Sequence, residues 1–524
     1  MITLATAASR VTGFVRVVVV AGAMGTTFLA NTYQTANTAP NVVFELVAAG
    51  VLTSIFVPTF VEYIARGRKD EGWEAGNALA SVALVGLTGL ALLLLLAAPW
   101  VMRLLTLGVE DPALRAREIE LGSTFLRLFA PQVAFYGAGM IMTGALHAHR
   151  RFALPALAPL LNNVIVIAVY LTYAGMRAGR PPTVSGITHS ETLVLGLGTT
   201  LGVVAMTVCL VPQLVRMGWR FRFRFDLKHP AVRKGARLGV WALGYAGGYQ
   251  AGLIVVLMLA NRVEGGVAAY QWAYTFFYLP HALFAVPIFS VLFTAMSEHV
   301  AREETGGLQE RLREGLGMLV FVLAPVAVAL LVLAAPIATV TLQYGAMTEA
   351  GARLVARCLG AFAIGLPAYS IFLVFTRAFY AIGDTRIPAL VNAGAVLAAS
   401  VAGAGAFVAA PDGWEVPGLA LGHSAGFAAG AAVLASAFSK REGSVRSTEL
   451  MGSALRSTGG AVAAGLVMAA VGWFLDPGAG DVPASLVTLL VAGCAGAAAY
   501  LALMKWVKSH ELHRVVLLVR GVRT

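Results

Sequence analysis

Apolar runs of about twenty residues or more recur from one end of the chain to the other, separated by short polar or charged segments. Runs of this length match what a helix needs to cross the hydrocarbon core of a bilayer. Together with the helix breakers and charged loops between them, they predict about fourteen helices, near residues 2–25, 31–65, 75–105, 118–148, 152–176, 191–216, 230–260, 266–300, 312–342, 349–382, 386–410, 417–439, 453–475 and 484–507. The pattern therefore predicts an all-α, polytopic membrane protein.

Two of the predicted helices are longer than a bilayer needs and contain internal prolines. The second carries Pro40 and Pro58, and the eighth carries Pro280 and Pro287. Because proline has no N–H to donate to the preceding turn, we expect kinks or unwound turns at these positions. Carbonyl groups freed in this way must face protein or a wet cavity rather than lipid.

The composition agrees with burial in lipid, because 58% of the 524 residues are hydrophobic, 12% are charged and the mean hydropathy is +0.79. A net charge of +12 would suggest a nucleic-acid partner in a soluble protein. Here most Lys and Arg residues lie in the even-numbered loops and the C-terminal tail, which is an orientation signal. We therefore expect both termini on the cytoplasmic side and no nucleic-acid partner.

Signals for covalent chemistry are absent from the sequence. The three cysteines lie inside apolar runs without paired or metal-ligand spacing, so we expect neither disulfides nor a metal site. No HExxH or GxxxxGK[ST] motif occurs, which argues against an enzyme. We expect no cofactor, and transport driven by the membrane potential or by a monovalent cation gradient. No signal-peptide pattern is evident, so we expect the first helix to be retained.

Two short segments recur at similar spacings and at matching helix ends. Glu62–Arg66 closes the second predicted helix, and the similar Glu298–Arg302 closes the eighth, 236 positions later. Chance similarity is one explanation, and a parallel duplication is the other, which predicts two six-helix lobes facing a central cavity. On that basis we divide the chain into an N-lobe, a C-lobe, two appended helices and a cytoplasmic amphipathic tail, at residues 1–220, 221–445, 446–507 and 508–524.

Ionisable side chains at bilayer depth are costly unless they face a cavity or a partner. Arg16 lies about 21 Å along the first predicted helix, and Arg10 lies on roughly the same side of it. Glu45 lies near the middle of the second helix and continues a polar stripe of Gln34, Asn37 and Asn41. Either Glu45 neutralises Arg16 as a structural pair, or these residues line a cavity that binds an anionic cargo and a proton or cation.

The second predicted lobe offers aromatic and polar side chains rather than charges. The seventh and eighth helices carry Tyr245, Tyr249, Gln250, Gln271, Trp272, Tyr274, Thr275, Tyr278 and His281. They form either a surface on which sugar rings or an amphipathic cargo stack, or an interfacial belt and helix packing, and we assign Thr275 to substrate binding. A salt-bridge cluster or gate is expected at the helix-end residues Glu62, Arg377, Asp384 and Arg386.

Four groups of residues carry a family resemblance. They are Ser9–Arg16; Pro40–Asn41 with Phe56–Pro58 and Glu62–Tyr63; Arg151–Phe152 with Pro155, Pro159 and Asn163; and Arg377–Tyr380 with Gly383–Arg386 and Pro388. Together they resemble the MurJ/MviN lipid II flippases of the multidrug/oligosaccharidyl-lipid/polysaccharide exporter superfamily. The resemblance implies fourteen helices in two lobes, a cationic central cavity, a groove for the lipid tail along the last two helices, and first-helix arginines at Arg10 and Arg16.

The chain departs from the pattern of that family at several charged positions. Phe44 and Glu45 stand where the family typically has two arginines, and an eighth-helix cavity arginine aligns with Thr275. Three acidic positions are uncharged here, at Val17, Asn31 and Ala49. Similar losses are found in actinobacterial-type members, which the segment Leu195–Thr200 also resembles. We therefore expect a cavity with fewer positive charges than the resemblance implies.

The leading hypothesis is a flippase for undecaprenyl-pyrophosphate-linked peptidoglycan precursor, lipid II, working by alternating access. Arg16 would hold the pyrophosphate, and Glu45 would set charge balance or cation coupling. The alternatives are export of another polyprenyl-linked saccharide, export of an organic cation bound by Glu45, or a non-transporting scaffold of the cell-wall machinery. We expect a monomer in the bacterial cytoplasmic membrane, with a lipid-linked cell-wall precursor, membrane lipids and cell-wall synthesis proteins as partners.

Overall fold

The structure is a computed structural model that describes residues 2–47, 69–227, 247–302, 305–445, 447–475 and 481–519. Each of these ranges contains α-helix, and no β-strand occurs within them. They are α1 (Ile2–Met24), α2 (Phe28–Val47), α3 (Lys69–Leu105), α4 (Pro112–Phe129), α5 (Gln132–Ala148), α6 (Ala153–Arg177), α7 (His189–Val208), α8 (Val211–Arg216), α9 (Gly247–Ala260), α10 (Gly266–Pro280), α11 (Val286–Ala301), α12 (Thr305–Val332), α13 (Ala334–Leu342), α14 (Glu349–Ala381), α15 (Arg386–Ala409), α16 (Glu415–Glu442), α17 (Thr448–Leu475), α18 (Val482–Trp506) and α19 (His510–Val519).

The all-α, polytopic fold is confirmed. Among the described residues, 11 helical stretches are long and apolar enough to cross a membrane. Helix is also present in each of the fourteen predicted segments wherever the structure describes them, so the predicted count is consistent with the structure and stays a prediction. Pro58, Glu62 and Tyr245 lie outside the described residues.

Helix α4 begins earlier than the apolar pattern predicts. The Asp111 carboxylate accepts a hydrogen bond of 2.9 Å from the Ala113 amide, and Pro112 lies in the first helical turn. This is a strong helix start, because the cap satisfies an otherwise unpaired N–H group and proline has none to lose. A start at Pro112, rather than near residue 118, places Glu118 in the second turn of the helix.

The irregularity expected in the eighth predicted helix is a π-helical turn, His281–Ala285, between α10 and α11. The Val286 amide donates to the His281 carbonyl, one residue further back than in an α-helix. Pro287, which has no N–H, follows immediately, so the regular ladder could not have continued there. Helix α2, in contrast, continues through Pro40 without unwinding.

The chain forms two compact units. Unit 1 comprises Met1–Ala268 with Tyr344–Met347, and unit 2 comprises Ala269–Gln343 with Thr348–Thr524. The segment Tyr344–Met347 belongs to unit 1 because the Ala346 amide donates a hydrogen bond of 2.7 Å to the Gly22 carbonyl of α1. Gly25 then makes the turn into α2 with a φ of +60°, and a Cβ atom there would collide with the Ala346 carbonyl.

Small residues allow close helix packing in unit 2. Helix α16 packs against α14 and α15, where Gly422 meets the backbone of Gly403. Helices α17 and α18 pack with α12 around Phe321 and Tyr500, and the Tyr500 hydroxyl donates 2.7 Å to the Phe321 carbonyl. The predicted lobe boundaries rest on the sequence repeat rather than on compactness, so they stay predictions.

Candidate functional site

Arg16 is the centre of the polar region in unit 1. Its side chain is half-buried on α1, eight residues before the end of the helix at Met24. Its guanidinium charge acts on the hydroxyl groups of Tyr33, Tyr136 and Tyr170, which we call the tyrosine cluster. No carboxylate of the described residues forms an ion pair with Arg16. A charged group is therefore held beside neutral hydroxyls.

Two members of the tyrosine cluster, Tyr33 and Tyr170, are linked by a hydrogen bond, and the Tyr33 ring is held by packing. The Tyr33 hydroxyl lies 2.6 Å from the Thr199 hydroxyl and 3.2 Å from the Tyr170 hydroxyl. The Tyr33 ring is fully buried and makes edge contacts with Phe125 and Phe129 of α4, with centroids 5.4 and 5.6 Å away. Since hydroxyl groups both donate and accept, this network can reorient its protons when an anion approaches Arg16.

The predicted polar stripe lies on α2, but its two ends have different surroundings. Asn41 bonds back within the helix, donating 2.9 Å to the Asn37 carbonyl, and the Asn37 Oδ1 atom is buried without a partner among the described residues. Gln34 is half-buried, whereas Glu45 is exposed. The eleven residues from Gln34 to Glu45 amount to three turns and about 20°, so both ends lie on one face of α2 and differ in their position along the helix.

Arg16 and Glu45 do not form an ion pair, so the structural-pair interpretation is wrong for this conformation. The reason is their distance from the turn that joins the two helices. Arg16 lies about 12 Å before the end of α1, whereas Glu45 lies about 26 Å beyond the start of α2. If the two helices ran antiparallel, the two backbone positions would differ in height by about 14 Å, which is at the limit of what the two side chains can span.

The first turns of α1 are held by α6 rather than by α2. The Asn163 amide donates 3.2 Å to both the Ser9 carbonyl and the Thr12 hydroxyl, so this asparagine is a helix-packing group. Arg10 is exposed on the same helix and has an interaction of its own. The structure therefore places Arg10 and Arg16 in different surroundings.

Unit 2 contains a cavity of about 400 Å³ beside the π-helical turn. Among the residues that line it are Tyr278, His281, Thr294 and Arg377. The exposed Arg377 guanidinium lies 6.0 Å from the Phe293 ring centroid. Thr275 does not line this cavity, and its hydroxyl donates 3.0 Å to the Gln271 carbonyl of its own helix.

Most of the predicted aromatic surface of unit 2 is internal packing. The rings of Tyr274, Phe277 and Tyr369 all contact the His423 ring, with centroids 5.7 to 5.8 Å away. The His281 Nδ1 atom lies 2.9 Å from the Ser370 hydroxyl. Among the members of the predicted set that the structure describes, Tyr278 and His281 line the cavity. The interpretation as packing therefore holds for the ring cluster around His423.

The expected salt bridge of Asp384 forms, but with a different arginine from those predicted. Asp384 pairs with Arg441 of α16 at 2.5 Å, and it forms no ion pair with Arg377 or Arg386. Its other oxygen accepts the backbone amides of Arg386 and Ile387, which caps α15. Burial raises the pKa of Asp384, but these hydrogen bonds and the Arg441 charge outweigh it and hold the pKa below its usual value.

A family model described as Lipid II flippase MurJ matches residues 20–480 of the chain. The chain belongs to this family. Membership makes it a multi-span protein of the bacterial inner membrane. The match begins after Arg10 and Arg16, so the roles of these two arginines rest on their own chemistry. Among the described residues, no group of three or more His, Cys, Asp or Glu side chains is arranged to hold a metal ion.

Individual MurJ proteins are similar over most of their length. The probable lipid II flippase MurJ of Rhizobium meliloti is 28% identical over 408 residues, 76% of this chain and 72% of that protein. The lipid II flippase MurJ of Burkholderia cenocepacia is 25% identical over 396 residues, 74% of each. These relatives agree with the family assignment.

Solved structures show the same fold. A lipid II flippase MurJ in an inward closed conformation matches with a TM-score of 0.78 and 18% identity, over 97% of this chain and 99% of that one. An inward-facing multidrug resistance MATE family transporter of the MOP superfamily matches with a TM-score of 0.68 and 14% identity, over 84% and 96%. At these identities the likeness shows the fold alone.

One departure from the MurJ pattern has a structural reason. Asn31, where an Asp was expected, is fully buried and uses both ends of its amide. Its Nδ2 donates 2.9 Å to the Val263 carbonyl, and its Oδ1 accepts 3.0 Å from the Val267 amide and 3.4 Å from the Ala268 amide. A carboxylate could accept the amides but could not donate to the carbonyl.

Two groups of buried polar residues are missing from the sequence-based site. The tyrosine cluster could have been found by extending the polar stripe of α2 one turn back from Asn37 to Tyr33. Glu118, which is fully buried in α4, could have been found from the Asp111–Pro112 helix start, which places it within the helix. Thr199 and Tyr170 carry no such signal, because only tertiary packing brings them to Tyr33.

Proposed function

We propose that this MurJ-family chain moves lipid II, a polyprenyl-pyrophosphate-linked peptidoglycan precursor, from the inner to the outer leaflet of the cytoplasmic membrane by alternating access and without covalent chemistry. Family membership supports the cargo class. The observation that carries the site is Arg16, a half-buried guanidinium with no carboxylate partner among the described residues, beside three tyrosines.

Arg16 suits a pyrophosphate group. A guanidinium presents its donors in a planar fork that matches two phosphate oxygens at once, and such charge-assisted hydrogen bonds are among the strongest in proteins. The tyrosine cluster adds O–H donors without adding a competing negative charge. In surroundings of low polarity, an unpaired Arg16 attracts an anion more strongly than it would in water.

The membrane potential can supply the driving force for an anionic cargo. An interior-negative potential favours outward movement of negative charge by about 2.3 kcal/mol per charge for each 100 mV. We propose coupling to this potential or to a monovalent cation, with both termini on the cytoplasmic side. We also propose that the protein acts as a monomer, with cell-wall synthesis proteins as partners.

Export of an organic cation is the second candidate, and Glu45 favours it. This carboxylate is exposed on α2 with no ion-pair partner among the described residues, at a position where the resemblance expects arginine. A cation exporter would bind cationic dyes more tightly than lipid II, and Glu45→Gln would abolish that binding. Equilibrium binding of both ligands to the purified protein separates the two candidates.

The test of the leading proposal uses cells depleted of their own flippase. Wild type should restore outer-leaflet lipid II, whereas Arg16→Ala should lower the rate about tenfold or more, since charged hydrogen bonds contribute about 1.5–3 kcal/mol. Arg16→Lys, which keeps the charge but loses the fork, should be intermediate. Arg127→Ala, which removes an exposed arginine of α4, is the matched control and should behave as wild type.

Failure of the wild-type chain to restore outer-leaflet precursor in the depleted cells would contradict the proposal. Full activity of the double variant Arg16→Ala, Glu45→Gln would point instead to a non-transporting scaffold. Each variant must first be shown to be folded, by a monodisperse elution profile and an unchanged Tm in detergent.

A further inference from the structure

Unit 1 contains a second polar site, in which the carboxyl group of Glu118 has only neutral hydrogen-bond partners. Glu118 of α4 is 0% exposed, as is Asn261 at the end of α9, and Thr32 of α2 is 1% exposed. The Glu118 Oε2 atom accepts a hydrogen bond of 3.2 Å from the Asn261 Nδ2 atom. The Glu118 Oε1 atom lies 3.1 Å from the Thr32 Oγ1 atom. We call these three residues the Glu118 site.

The hydrogen bonds of this site favour a protonated Glu118. The Thr32 Oγ1 atom also lies 2.8 Å from the Phe28 carbonyl oxygen, which can only accept. A hydroxyl group has one hydrogen, so Thr32 cannot donate both to Phe28 and to an ionised Glu118. If Glu118 carries a proton on Oε1, it donates to Thr32, Thr32 donates to Phe28, and each of the two hydroxyl hydrogens has its own acceptor.

No positively charged side chain among the described residues forms an ion pair with Glu118 that could neutralise it in place of a proton. Neither an ion pair nor a further hydrogen bond reaches the Glu118 carboxyl group. The titratable groups on α4 and on the elements packed against it are Arg115, Arg117, Glu120 and Arg127 on α4, Tyr33 and Glu45 on α2, Lys69, Asp70, Glu71, Glu74 and Arg103 on α3, and His189 and Glu191 on α7. In the adjoining loops, Arg262 is paired with Glu110 at 3.0 Å instead. An ionised carboxylate buried here would lack compensation, which is costly.

The Glu118 site also holds a particular segment of chain. Residues 261–268 comprise the turn between α9 and α10 and the first three residues of α10, and the chain continues from Ala268 into unit 2. Asn261 is bonded to Glu118 at the start of this segment, and Asn31 of α2 is bonded to the backbone of Val263, Val267 and Ala268 along it. The Asn261 Oδ1 atom is buried without a partner, so the hydrogen bond to Glu118 is the side-chain attachment of Asn261.

We propose that Glu118 is a proton-binding site of this protein: it is a neutral acid in this conformation, and its deprotonation, by drawing the carboxylate toward water, releases Asn261 at the start of the segment 261–268 from α4. On losing its proton, the carboxylate can no longer donate to Thr32, and it must draw in water or move toward it. The ligand is thus a proton, taken up and released by the Oε1 atom. That this step drives cargo movement rests on the proposed function, whereas the proton site itself does not.

The proton site is tested by infrared difference spectroscopy of the purified full-length protein in nanodiscs, which needs no cargo. Wild type should show the C=O stretching band of a buried protonated carboxylic acid at neutral pH, shifted in deuterated buffer and lost as the pH rises. The band should be absent in Glu118→Gln and retained in Glu120→Gln, which removes an exposed acid two residues away on the same helix.

Two results would overturn the proposal. One is a wild-type spectrum at neutral pH that is identical to that of Glu118→Gln, since the acid would then be ionised. The other is loss of the band on adding sodium in place of choline at constant pH, because the site would then bind a metal cation. Glu118→Gln keeps a donor for Thr32 and an acceptor for Asn261, so it should fold, and its Tm serves as the check.

Release of the segment is tested by hydrogen–deuterium exchange of peptides that cover residues 261–268. Wild type and Glu118→Gln should exchange equally at acidic pH, and wild type should exchange several-fold faster at alkaline pH, with each comparison made at a single pH. Equal exchange at every pH would show that the proton does not control this segment. Because neither measurement depends on lipid II, failure here leaves the proposed function standing, and failure of lipid II transport leaves the proton site standing.

Discussion

The buried polar groups of unit 1 and unit 2 are satisfied in different ways. In unit 1, side chains bond to side chains of other helices, as Tyr33 does with Thr199 and as Glu118 does with Asn261. In unit 2, the buried hydroxyls of Tyr500 and Ser424 bond to the backbone carbonyls of Phe321 and Ala361, the latter at 2.9 Å, and His281 with Ser370 is a side-chain pair. Charges in unit 2 are neutralised near helix ends, as in the pair between Arg514 and Glu314 at 2.8 Å.

The difference has a physical consequence. A backbone carbonyl cannot move without its helix, so a side chain bonded to it fixes the packing of two helices. Hydroxyl, amide and carboxyl side chains can exchange partners and protons, so a network of them has more than one satisfied arrangement. Unit 1 therefore holds the groups that can respond to a cargo or a proton, and the examples in unit 2 stabilise a single arrangement.

The largest expected effect on stability comes from breaking the attachment of segment 261–268 in unit 1. Asn31→Asp places a carboxylate oxygen against the Val263 carbonyl, which the native amide meets as a donor at 2.9 Å. Repulsion and a buried unsatisfied group should lower the free energy of unfolding by about 2–4 kcal/mol. Thermal unfolding in detergent measures it.

The control for Asn31→Asp is Ser424→Ala in unit 2, which removes one hydrogen bond to a carbonyl and adds no charge. It should cost about 1 kcal/mol. If Asn31→Asp unfolds at the same temperature as wild type, the Asp of the family pattern is compatible with this structure, and the explanation given for Asn31 is wrong.

An intermediate effect separates structural from functional hydroxyls. Tyr33→Phe and Tyr500→Phe each remove a buried hydroxyl, and each should cost about 0.5–1.5 kcal/mol of stability. Only Tyr33→Phe removes a group of the cluster beside Arg16, so only this variant should also slow lipid II transport, about threefold to tenfold. Equal transport by the two variants, measured at equal amounts of folded protein, would show that the tyrosine cluster is not part of the transport site.

Helix positions in this chain are predictable because the bilayer sets the length of an apolar run, and caps such as Asp111 set its start. The side-chain partners of charged residues are less predictable. Arg16 and Glu45 each lie near the middle of a predicted helix, yet they lie at different distances along the chain from the shared turn at Gly25, so they are at different heights in the two helices. Asp384 and Arg441 lie 57 positions apart, and no periodic pattern connects them. Side-chain partners depend on which helices pack together, which periodicity within one helix does not specify.

The smallest effect concerns the neutralised charge of Asp384 in unit 2. Its pKa is below the usual value in the folded protein, so the stability it contributes is present above the unfolded pKa and is lost as the pH falls through the folded pKa. Asp384→Asn keeps an acceptor for the cap of α15 and loses the ion pair, so its Tm should fall less steeply with acid than that of wild type. The difference should be below about 1 kcal/mol, because Arg441 is 47% exposed and solvent screens the pair.

The second variant, Arg441→Ala, should remove part of the same acid dependence while leaving the cap of α15. Identical acid profiles of wild type and Asp384→Asn would show that this carboxylate titrates as it does in the unfolded chain.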